Sequence, residues 1–241
     1  MDTDLRDRIQ HISLEHRLFG SRRITAALRD SGLIVNRKRV QRLMRIDNLL
    51  VLRKQRFVLT TDSRHTYAVW PNLVPNLQLS GINQLWVADI TFIRLKQAFV
   101  YLAVVLDAWS RRVVGWAVGD TLEATLPLEA LKRALANRTV PEGMVHHSDR
   151  GSQYCSHDYV DALTRAGVRI SMSRAGNPYD NARAERFMRT LKQEEVNLTS
   201  YRNLADARER IGEFLENYYN RKRLHSALQY QAPEVFEGLQ V

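Results

Sequence analysis

Three carboxylates stand at positions where an acid needs a compensating partner. Asp89 is the only charged residue in the apolar stretch LWVADITFI, residues 85–93. An uncompensated charge in a buried strand costs several kcal/mol, and either a structural salt bridge or a bound cation would offset it. Asp149 follows a short apolar segment in HHSDRGSQY, where both a turn role and a site role fit. Glu185 falls in the first turn or two of a predicted helix that follows a Gly-Asn-Pro loop.

These acids share one site if the strands that carry Asp89 and Asp149 are neighbours and the helix adds Glu185 from above. Three carboxylates in one place repel one another strongly, and hard divalent cations relieve that repulsion. Two such ions about 3.5–4 Å apart stabilise both the attacking and the leaving oxygen of phosphoryl transfer. The sequence therefore predicts a site for two Mg²⁺ or Mn²⁺ ions that acts on phosphodiesters.

The elements around these acids alternate between apolar strands and amphipathic helices. The predicted strands cover residues 85–93, 98–106, 113–118, 143–147 and 168–172. Four helices are predicted. The first starts near Pro127 and has Leu128, Leu131 and Leu135 on one face, and the second spans 157–166. The third runs from Asp180 to about Asn197, and the fourth spans about 203–219, with Ile211, Phe214, Leu215 and Tyr218 facing inward. This order predicts an α/β fold with one mixed five-stranded sheet and flanking helices. The first three strands form an antiparallel meander, and the fourth returns through a right-handed crossover to lie parallel to the first.

A small all-α module precedes this sheet. Residues 5–50 are predicted to form three helices, and the third is capped by Asn36. Its apolar face consists of Val40, Leu43 and Met44. Its opposite face consists of Arg37, Lys38, Arg39, Arg42 and Arg45. Two short helices, of which the second has a basic outer face, are typical of a helix-turn-helix that binds DNA, and a solvated basic surface is the alternative.

The charge of the chain is concentrated in this module. The 241 residues have a formal net charge of +10, and residues 1–76 hold 15 Lys and Arg against 7 Asp and Glu. Such a basic head favours a polyanionic partner. No apolar run approaches the roughly 18 residues that span a bilayer. The single Cys155 predicts a reducing compartment, so the expected location is the cytoplasm, with no membrane partner.

Other polar side chains receive structural interpretations. Asp107 lies in a predicted turn between two strands, and Asn181 is assigned to the start of the long helix. His146 and His147 lack paired metal-ligand spacing and are assigned to a strand end. His225, in RKRLHSAL, fits either a packing role or a phosphate contact.

Seven stretches together resemble a known family, the DDE transposases of bacterial insertion sequences, which share the retroviral integrase catalytic core. The stretches are FGSRRI, VNRKRVQRLMR, WVADITFI, YLAVVLDAWSRRVVGW, HHSDRGSQY, GNPYDNARAERFMRTLKQE and YNRKRLHSALQYQAPEVF. The resemblance covers nearly the whole chain and is strongest to OrfB, the downstream-frame protein of elements that fuse two overlapping frames. Between Asp149 and Glu185 lie 35 residues, which is the spacing of the family's signature.

The resemblance implies a ribonuclease-H-like core in which Asp89, Asp149 and Glu185 are catalytic and hold the two ions. It implies metal-dependent cleavage of double-stranded DNA at element ends and strand transfer into target DNA. It also implies a homo-oligomer on DNA and an OrfA-like partner or fusion encoded upstream. The family's basic residue near the site matches Lys192. Because Glu185, Arg189 and Lys192 follow helical spacing, both cations are predicted to contact the DNA.

The predicted domains are a helix-turn-helix-like domain over 1–55, a linker over 56–79, and the catalytic core with a helical tail over 80–241. Two alternatives from other classes stay open at this point. One is a DNA-binding regulator that derives from a transposase but does not cut, and the other is a nuclease of the ribonuclease H fold.

Overall fold

The computed structural model describes residues 2–49, 67–96, 98–174 and 181–239. The described parts of Met1–Val58 and Leu224–Gln231 form one compact unit, and those of Leu59–Arg223 and Ala232–Val241 form a second. The predicted Gly-Asn-Pro loop, the Asp180 cap and the first part of the predicted linker lie outside the described residues.

The first unit is built on three helices, α1 (Asp2–Glu15), α2 (Ser21–Asp30) and α3 (Arg37–Ile46). The predicted cap is confirmed, because the Asn36 side chain accepts a hydrogen bond of 2.8 Å from the backbone N–H of Lys38. The α2–α3 turn passes through Gly32 at φ +84°, in the left-handed region that suits glycine.

The apolar faces of these helices meet in one small core. Its buried members are Leu5, Ile9, Phe19, Ile24, Leu28, Val40, Leu43 and Met44. The predicted apolar face of α3 is therefore confirmed. Arg6 of α1 pairs with Asp47, just after α3, through a contact of 3.1 Å from Nε to Oδ2, which fastens the ends of these two helices together.

The second unit contains the predicted five-stranded mixed sheet. Its strands are β1 (Leu85–Arg94), β2 (Phe99–Asp107), β3 (Val113–Gly119), β4 (Val145–Ser148) and β5 (Arg169–Met172). The strand order is β3-β2-β1-β4-β5. Pairing is antiparallel from β3 to β1 and parallel from β1 through β4 to β5. The meander, the return of the fourth strand through a helix and the β1–β4 neighbourhood are thus confirmed.

Helices cover both faces of this sheet. Helices α4 (Thr125–Asn137) and α5 (His157–Arg165) pack on one face, and α6 (Ala182–Leu191) and α7 (Leu204–Glu213) pack on the other. A short last helix, α8 (Pro233–Gly238), follows near the end of the chain. The helical path of α6 continues as a π-helix over Lys192–Val196, and that of α7 continues as another over Phe214–Tyr219. Short 3₁₀ turns occur at Val74–Asn76 and, in the first unit, at Ser226–Leu228. Within the described residues, no helix is long and apolar enough to cross a membrane.

Strand β1 is buried on both faces because its side chains contribute alternately to two apolar clusters. Leu85 and Val87 pack in the cluster that includes residues of α6 and α7, whereas Trp86 and Ala88 pack in the cluster that includes residues of α4 and α5. The period of two along a strand places Asp89 on the same side as Val87, toward α6.

A buried ion pair joins the π-helical extension of α6 to the chain just after the extension of α7. Both guanidinium nitrogens of Arg223 that face Glu194 lie 2.7 Å from its carboxylate oxygens, so the pair is bidentate. The Arg223 guanidinium also lies 5.7 Å from the ring centre of Tyr219. This pair links the extension of α6 to the chain that follows the extension of α7.

The predicted inward faces of two helices need correction. In α4 the buried side chains include Ala130, Leu131 and Ala134, whereas Leu128 and Leu135 are only partly buried. The reason is the close approach of α4 to β3, which small side chains permit. In the extension of α7, the π-helical turn shifts the periodicity, so that Tyr219 is buried in place of the predicted Tyr218.

Asp107 has the structural turn role that the sequence indicates. Its carboxylate accepts hydrogen bonds from the backbone N–H groups of Asn83, Trp109 and Ser110 at 2.6, 2.9 and 2.8 Å. Burial raises its pKa, which these hydrogen bonds partly oppose. The described end of the predicted linker also packs on this unit, where the backbone N–H of Leu73 donates to Ser171 Oγ at 2.9 Å.

Gly115 allows the close contact between β3 and α4, and a side chain there should be destabilising. A Cβ at this position would run into the carbonyl oxygen of Ala130 and lie 2.9 Å from the Ala134 Cβ. We expect Gly115→Ala to lower the free energy of unfolding by about 1–3 kcal/mol, the usual cost of overpacking. Urea denaturation measures this change. Gly238→Ala is the matched control, because its added methyl group meets no atom within 4 Å. Equal stability of the two variants would contradict the packing argument.

Candidate active site

The parallel pairing of β1 and β4 brings two of the predicted acids to the same level of the sheet. The register pairs Val87 with His147. Asp89 and Asp149 each lie two residues further along, at the point where β4 has just ended at Ser148. In an open α/β sheet this is the carboxyl end of parallel strands next to a reversal of strand order, where binding sites commonly form.

Local hydrogen bonds orient both carboxylates. Asp89 Oδ1 accepts from the backbone N–H of Ile90 at 2.9 Å. Asp149 Oδ1 accepts from the backbone N–H of Gly151 at 2.9 Å, which closes a tight turn after β4. The turn continues with a hydrogen bond from the N–H of Tyr154 to the carbonyl of Gly151 at 3.0 Å. Each acid therefore has one oxygen engaged by the backbone.

The start of α6 is fastened to β1 beside Asp89. Asn181 stands at the N-terminal end of α6, as the sequence predicts, and its side-chain amide donates to the carbonyl of Ala88 at 3.0 Å. Glu185 follows in the first turn of α6 and is exposed. This hydrogen bond, together with the apolar packing of α6 against β1, holds the helix that carries the third acid beside the strand that carries the first.

The three acids interact electrostatically. The pKa of Asp89 is raised to about 8, first by loss of hydration and then by the negative charge of Asp149, with a smaller contribution from Glu185. The hydrogen bond from Ile90 and the charge of Lys192 act in the opposite direction. The pKa of Glu185 is also raised by loss of hydration, which Arg189 opposes. Among the described residues no salt bridge compensates Asp89, so the structural interpretation of this acid is not supported.

Asp89, Asp149 and Glu185 have the chemistry that a site for divalent cations requires. Carboxylate oxygens are the ligands that Mg²⁺ prefers, and a cation would relieve the repulsion that disfavours ionised Asp89. Across the described ranges, however, no three acidic, histidine or cysteine side chains are gathered closely enough to enclose an ion. Asp89 therefore interacts electrostatically with Asp149 and more weakly with Glu185, without the three acids being gathered into one cluster.

The two predicted DNA-contacting cations of α6 differ in environment. Arg189 is exposed. Lys192 is half-buried, with Nζ 4.6 Å from the ring centre of Phe92. Loss of hydration lowers the pKa of Lys192, and the charge of Asp89 raises it. Lys192 is thus partly buried beside Phe92 and interacts with Asp89, and it is not a member of a solvated stripe.

Buried polar side chains of β4 and its neighbours make contacts that the sequence did not reveal. On the face covered by α4 and α5, Tyr159 Oη lies 2.9 Å from His146 Nε2, and the two form a small buried polar layer. On the opposite face, His147 contacts the hydroxyls of Ser171 and Ser173 at 2.8 and 3.1 Å. Burial lowers the pKa of His146 to about 3, so this ring is neutral. Both histidines are thus packed strand residues, in agreement with their predicted role. Tyr154 belongs to the same layer, and its place in HHSDRGSQY, five residues after Asp149, was the available signal.

The basic face predicted for α3 is present on the first unit. Arg37, Lys38, Arg42 and Arg45 are exposed, and Arg39 is half-buried. The opposite face is the apolar one described above, so the two faces of α3 are separated as in an amphipathic helix.

Comparison with known families matches both units. Residues 80–178 and 166–233 each match an integrase core domain, and residues 2–57 match an HTH-like domain. The chain is 39% identical to the 31 kDa protein of insertion element IS600 of Shigella sonnei, over 90% of this chain and 80% of that protein. It is 35% identical to the transposase of insertion sequence IS904 of Lactococcus lactis, over 97% and 93% of the two chains. It is 38% identical to the transposase InsF of IS3A of Escherichia coli, over 91% and 77%.

Solved structures of low sequence identity show the same fold. A chain of the simian T-cell lymphotropic virus intasome aligns with a TM-score of 0.54 at 16% identity, over 95% of this chain and 74% of that one. The HTLV-2 integrase catalytic core domain, solved with magnesium, aligns with a TM-score of 0.50 at 15% identity, over 65% and 97%.

The sheet order and these alignments define the class of the second unit, which is a ribonuclease-H-like integrase core preceded by an HTH-like domain. The chain is also 39%, 35% and 38% identical to three proteins of insertion elements, over most of its own length and most of theirs. The chain belongs to the family of insertion-sequence transposases.

The raised pKa of Asp89 predicts a pH-dependent stability of the metal-free protein. An acid whose folded pKa lies above its unfolded value favours folding at low pH, and that contribution is lost as the pH rises from about 4 to about 8. Asp89→Asn removes the titration, so its Tm in EDTA should exceed that of the parent by an amount that grows over this window. Differential scanning fluorimetry from pH 5 to 8.5 measures the difference. A difference that stays constant with pH would show that Asp89 does not titrate there.

Proposed function

We propose that this chain is a transposase that cleaves DNA strands at the ends of an insertion sequence and joins them to target DNA in a metal-dependent reaction. The observation that carries the proposal is the β1–β4 register, which sets Asp89 level with Asp149 while Asn181 fastens α6 and Glu185 beside them. The named relatives among insertion-sequence transposases support the same process.

The site would use Asp89, Asp149 and Glu185 to hold two divalent cations, Mg²⁺ or Mn²⁺. When bound, these ions supply Lewis acidity, activation of the nucleophile and orientation. The backbone N–H groups of Ile90 and Gly151 hold one oxygen of each aspartate, so the carboxylates are oriented before ligands arrive. The solved HTLV-2 integrase core contains magnesium, which supports the choice of ion.

The reaction has two phosphoryl-transfer steps. In the first, water attacks the scissile phosphate at the element end, the P–O bond to the 3′ oxygen breaks, and a 3′-hydroxyl is released. In the second, this hydroxyl attacks a phosphodiester of the target, and the displaced oxygen leaves as the new 3′-hydroxyl of the target strand. No covalent bond to the protein is needed in either step.

The cations near the acids would hold the DNA backbone in register. Lys192 lies close enough to Asp89 for each to shift the pKa of the other, so a phosphate at the acids comes within reach of its ammonium group. Arg189, exposed one turn after Glu185, would contact the adjacent backbone. Phosphate contacts of this kind fix register without reading sequence. The same proposal includes three further properties. The chain binds the terminal repeats of its element, forms a homo-oligomer on DNA, and acts with an OrfA-like partner or as a fusion with it.

Each of the three acids should be required for cleavage. Asp89→Asn, Asp149→Asn and Glu185→Gln keep the side-chain shape but remove the charge that holds the ions. We expect cleavage of a labelled element end in Mg²⁺ to fall below detection for each variant, with unchanged circular dichroism.

Asp161→Asn, an exposed acid on α5, is the control and should cleave like the parent. Strand-transfer products in the same assay separate the transposase from the two other classes, because a nuclease would cut without joining and a regulator would bind without cutting. Cleavage near the parental rate in any acid variant would remove that residue from the site.

The exposed cations of α3 should carry DNA binding. Replacing Arg37, Lys38 and Arg42 with alanine should weaken binding and reduce the slope of log K against log[salt] by about 0.9 for each lost phosphate contact. Fluorescence anisotropy at several salt concentrations measures the slope. A matched triple variant, in which the exposed Lys132, Arg165 and Arg169 of the second unit become alanine, removes the same charge. Equal slopes for the two triple variants would indicate a general charge effect and contradict a binding role for α3.

A further inference from the structure

Tyr154 has a buried hydroxyl group without a hydrogen-bond partner. The residue is 1% exposed, and its Oη is among the buried polar atoms of the described residues for which the structure shows no partner. Buried hydroxyls are nearly always bonded, so each exception requires an explanation, such as a functional role or a missing ligand.

The neighbouring tyrosine shows that the environment can satisfy such a group. Tyr159 is equally buried, and its ring packs edge-on against that of Tyr154 with 5.3 Å between ring centres. Its hydroxyl lies 2.9 Å from His146 Nε2. Two adjacent phenols of the same layer therefore differ in one respect, which is that only Tyr159 has a partner in the protein.

The turn after β4 connects the backbone of Tyr154 to Asp149. The N–H of Gly151 donates to the Asp149 carboxylate, and the carbonyl of Gly151 accepts from the N–H of Tyr154. The backbone of Gly151 thus links the Asp149 carboxylate to the backbone of Tyr154. Burial raises the pKa of the Tyr154 phenol well above its ordinary value, and the nearby Asp89 and Asp149 carboxylates raise it further, so the hydroxyl keeps its proton and can donate.

We infer that Tyr154 is a positioning residue of the candidate active site, whose O–H donates a hydrogen bond to the Asp89–Asp149 carboxylate pair when that pair holds cations. The inference rests on the proposed function. Carboxylates that ligate a metal are commonly held by a further shell of hydrogen bonds, and loss of such a bond weakens metal affinity. The Tyr154 hydroxyl, which has no partner among the described residues of the metal-free protein, then donates to these carboxylates once they hold cations.

The inference predicts opposite effects of one substitution on the two states of the protein. Tyr154→Phe keeps the ring and removes the orphan hydroxyl. In EDTA its Tm should rise by about 2–4 °C, because an unsatisfied buried group is lost. The Mg²⁺ or Mn²⁺ concentration that gives half of the metal-induced thermal shift should increase by about 10-fold or more. Cleavage should be slow at limiting Mg²⁺ and recover toward the parental rate at saturating Mg²⁺.

Tyr159→Phe is the matched control. It also removes one buried phenol oxygen, but that oxygen is bonded to His146, so its Tm in EDTA should fall while the metal midpoint stays at the parental value. An unchanged metal midpoint in Tyr154→Phe, a lower Tm in EDTA, or equal midpoint shifts in both variants would each overturn the inference.

Asp149→Asn separates this inference from the proposed function. Loss of the metal-induced shift in Asp149→Asn together with an unchanged midpoint in Tyr154→Phe overturns the role of the tyrosine alone. A normal metal-induced shift in Asp149→Asn overturns the metal site itself, and the tyrosine's role with it.

Discussion

The parallel pairing of β1 with β4 is the constraint on which the site depends. The pairing is short, with three paired positions from Leu85 to Val87. One further hydrogen bond, from the N–H of Val145 to the carbonyl of Gln84, extends it by one residue ahead of β1. A slip of one residue would turn the side chains of one strand to the opposite face of the sheet. The apolar clusters on both faces of β1 prevent such a slip, because each side chain has a defined set of neighbours.

The same packing that fixes the register makes the acids electrostatically unfavourable. Asp89 loses hydration in a strand that is buried on both sides, and Asp149 adds a second negative charge beside it. The surrounding fold has to supply the stabilisation that this arrangement lacks. A site of this kind is expected to be less stable without its ligands than with them, which is a common relation between stability and activity in enzymes.

Much of the fold could be predicted from the sequence, because its strongest signals are local. The strands of the second unit have apolar, β-branched and aromatic residues throughout, and the crossover rule then places the fourth strand beside the first. Asp89 could be recognised from its isolation in an apolar strand. Glu185 carries no such signal, and its assignment rests on resemblance and spacing, since an exposed acid in a first helical turn is ordinary.

The features that could not be predicted depend on contacts between distant segments. The inward face of α4 is set by its close approach to Gly115, and the burial of Tyr219 is set by a π-helical turn. Neither effect can be recognised from the spacing of apolar residues in the sequence. Tyr154 is similar, because a tyrosine in a turn reads as ordinary packing until its hydroxyl is seen to lack a partner. The catalytic roles of the three acids, the domain limits and the DNA-contacting cations stay predictions.

The bidentate pair between Glu194 and Arg223 has a consequence for the angular freedom of α6. A helix that packs on a sheet through aliphatic side chains can roll about its own axis at little energetic expense, and a small roll moves the tips of long side chains by several times the displacement of the backbone. Two parallel hydrogen bonds of 2.7 Å resist rotation as well as separation. A buried pair of this kind adds little net stability. Its effect is to restrict rotation of the helix about its own axis, so that Glu185, Arg189 and Lys192 keep fixed directions relative to the sheet.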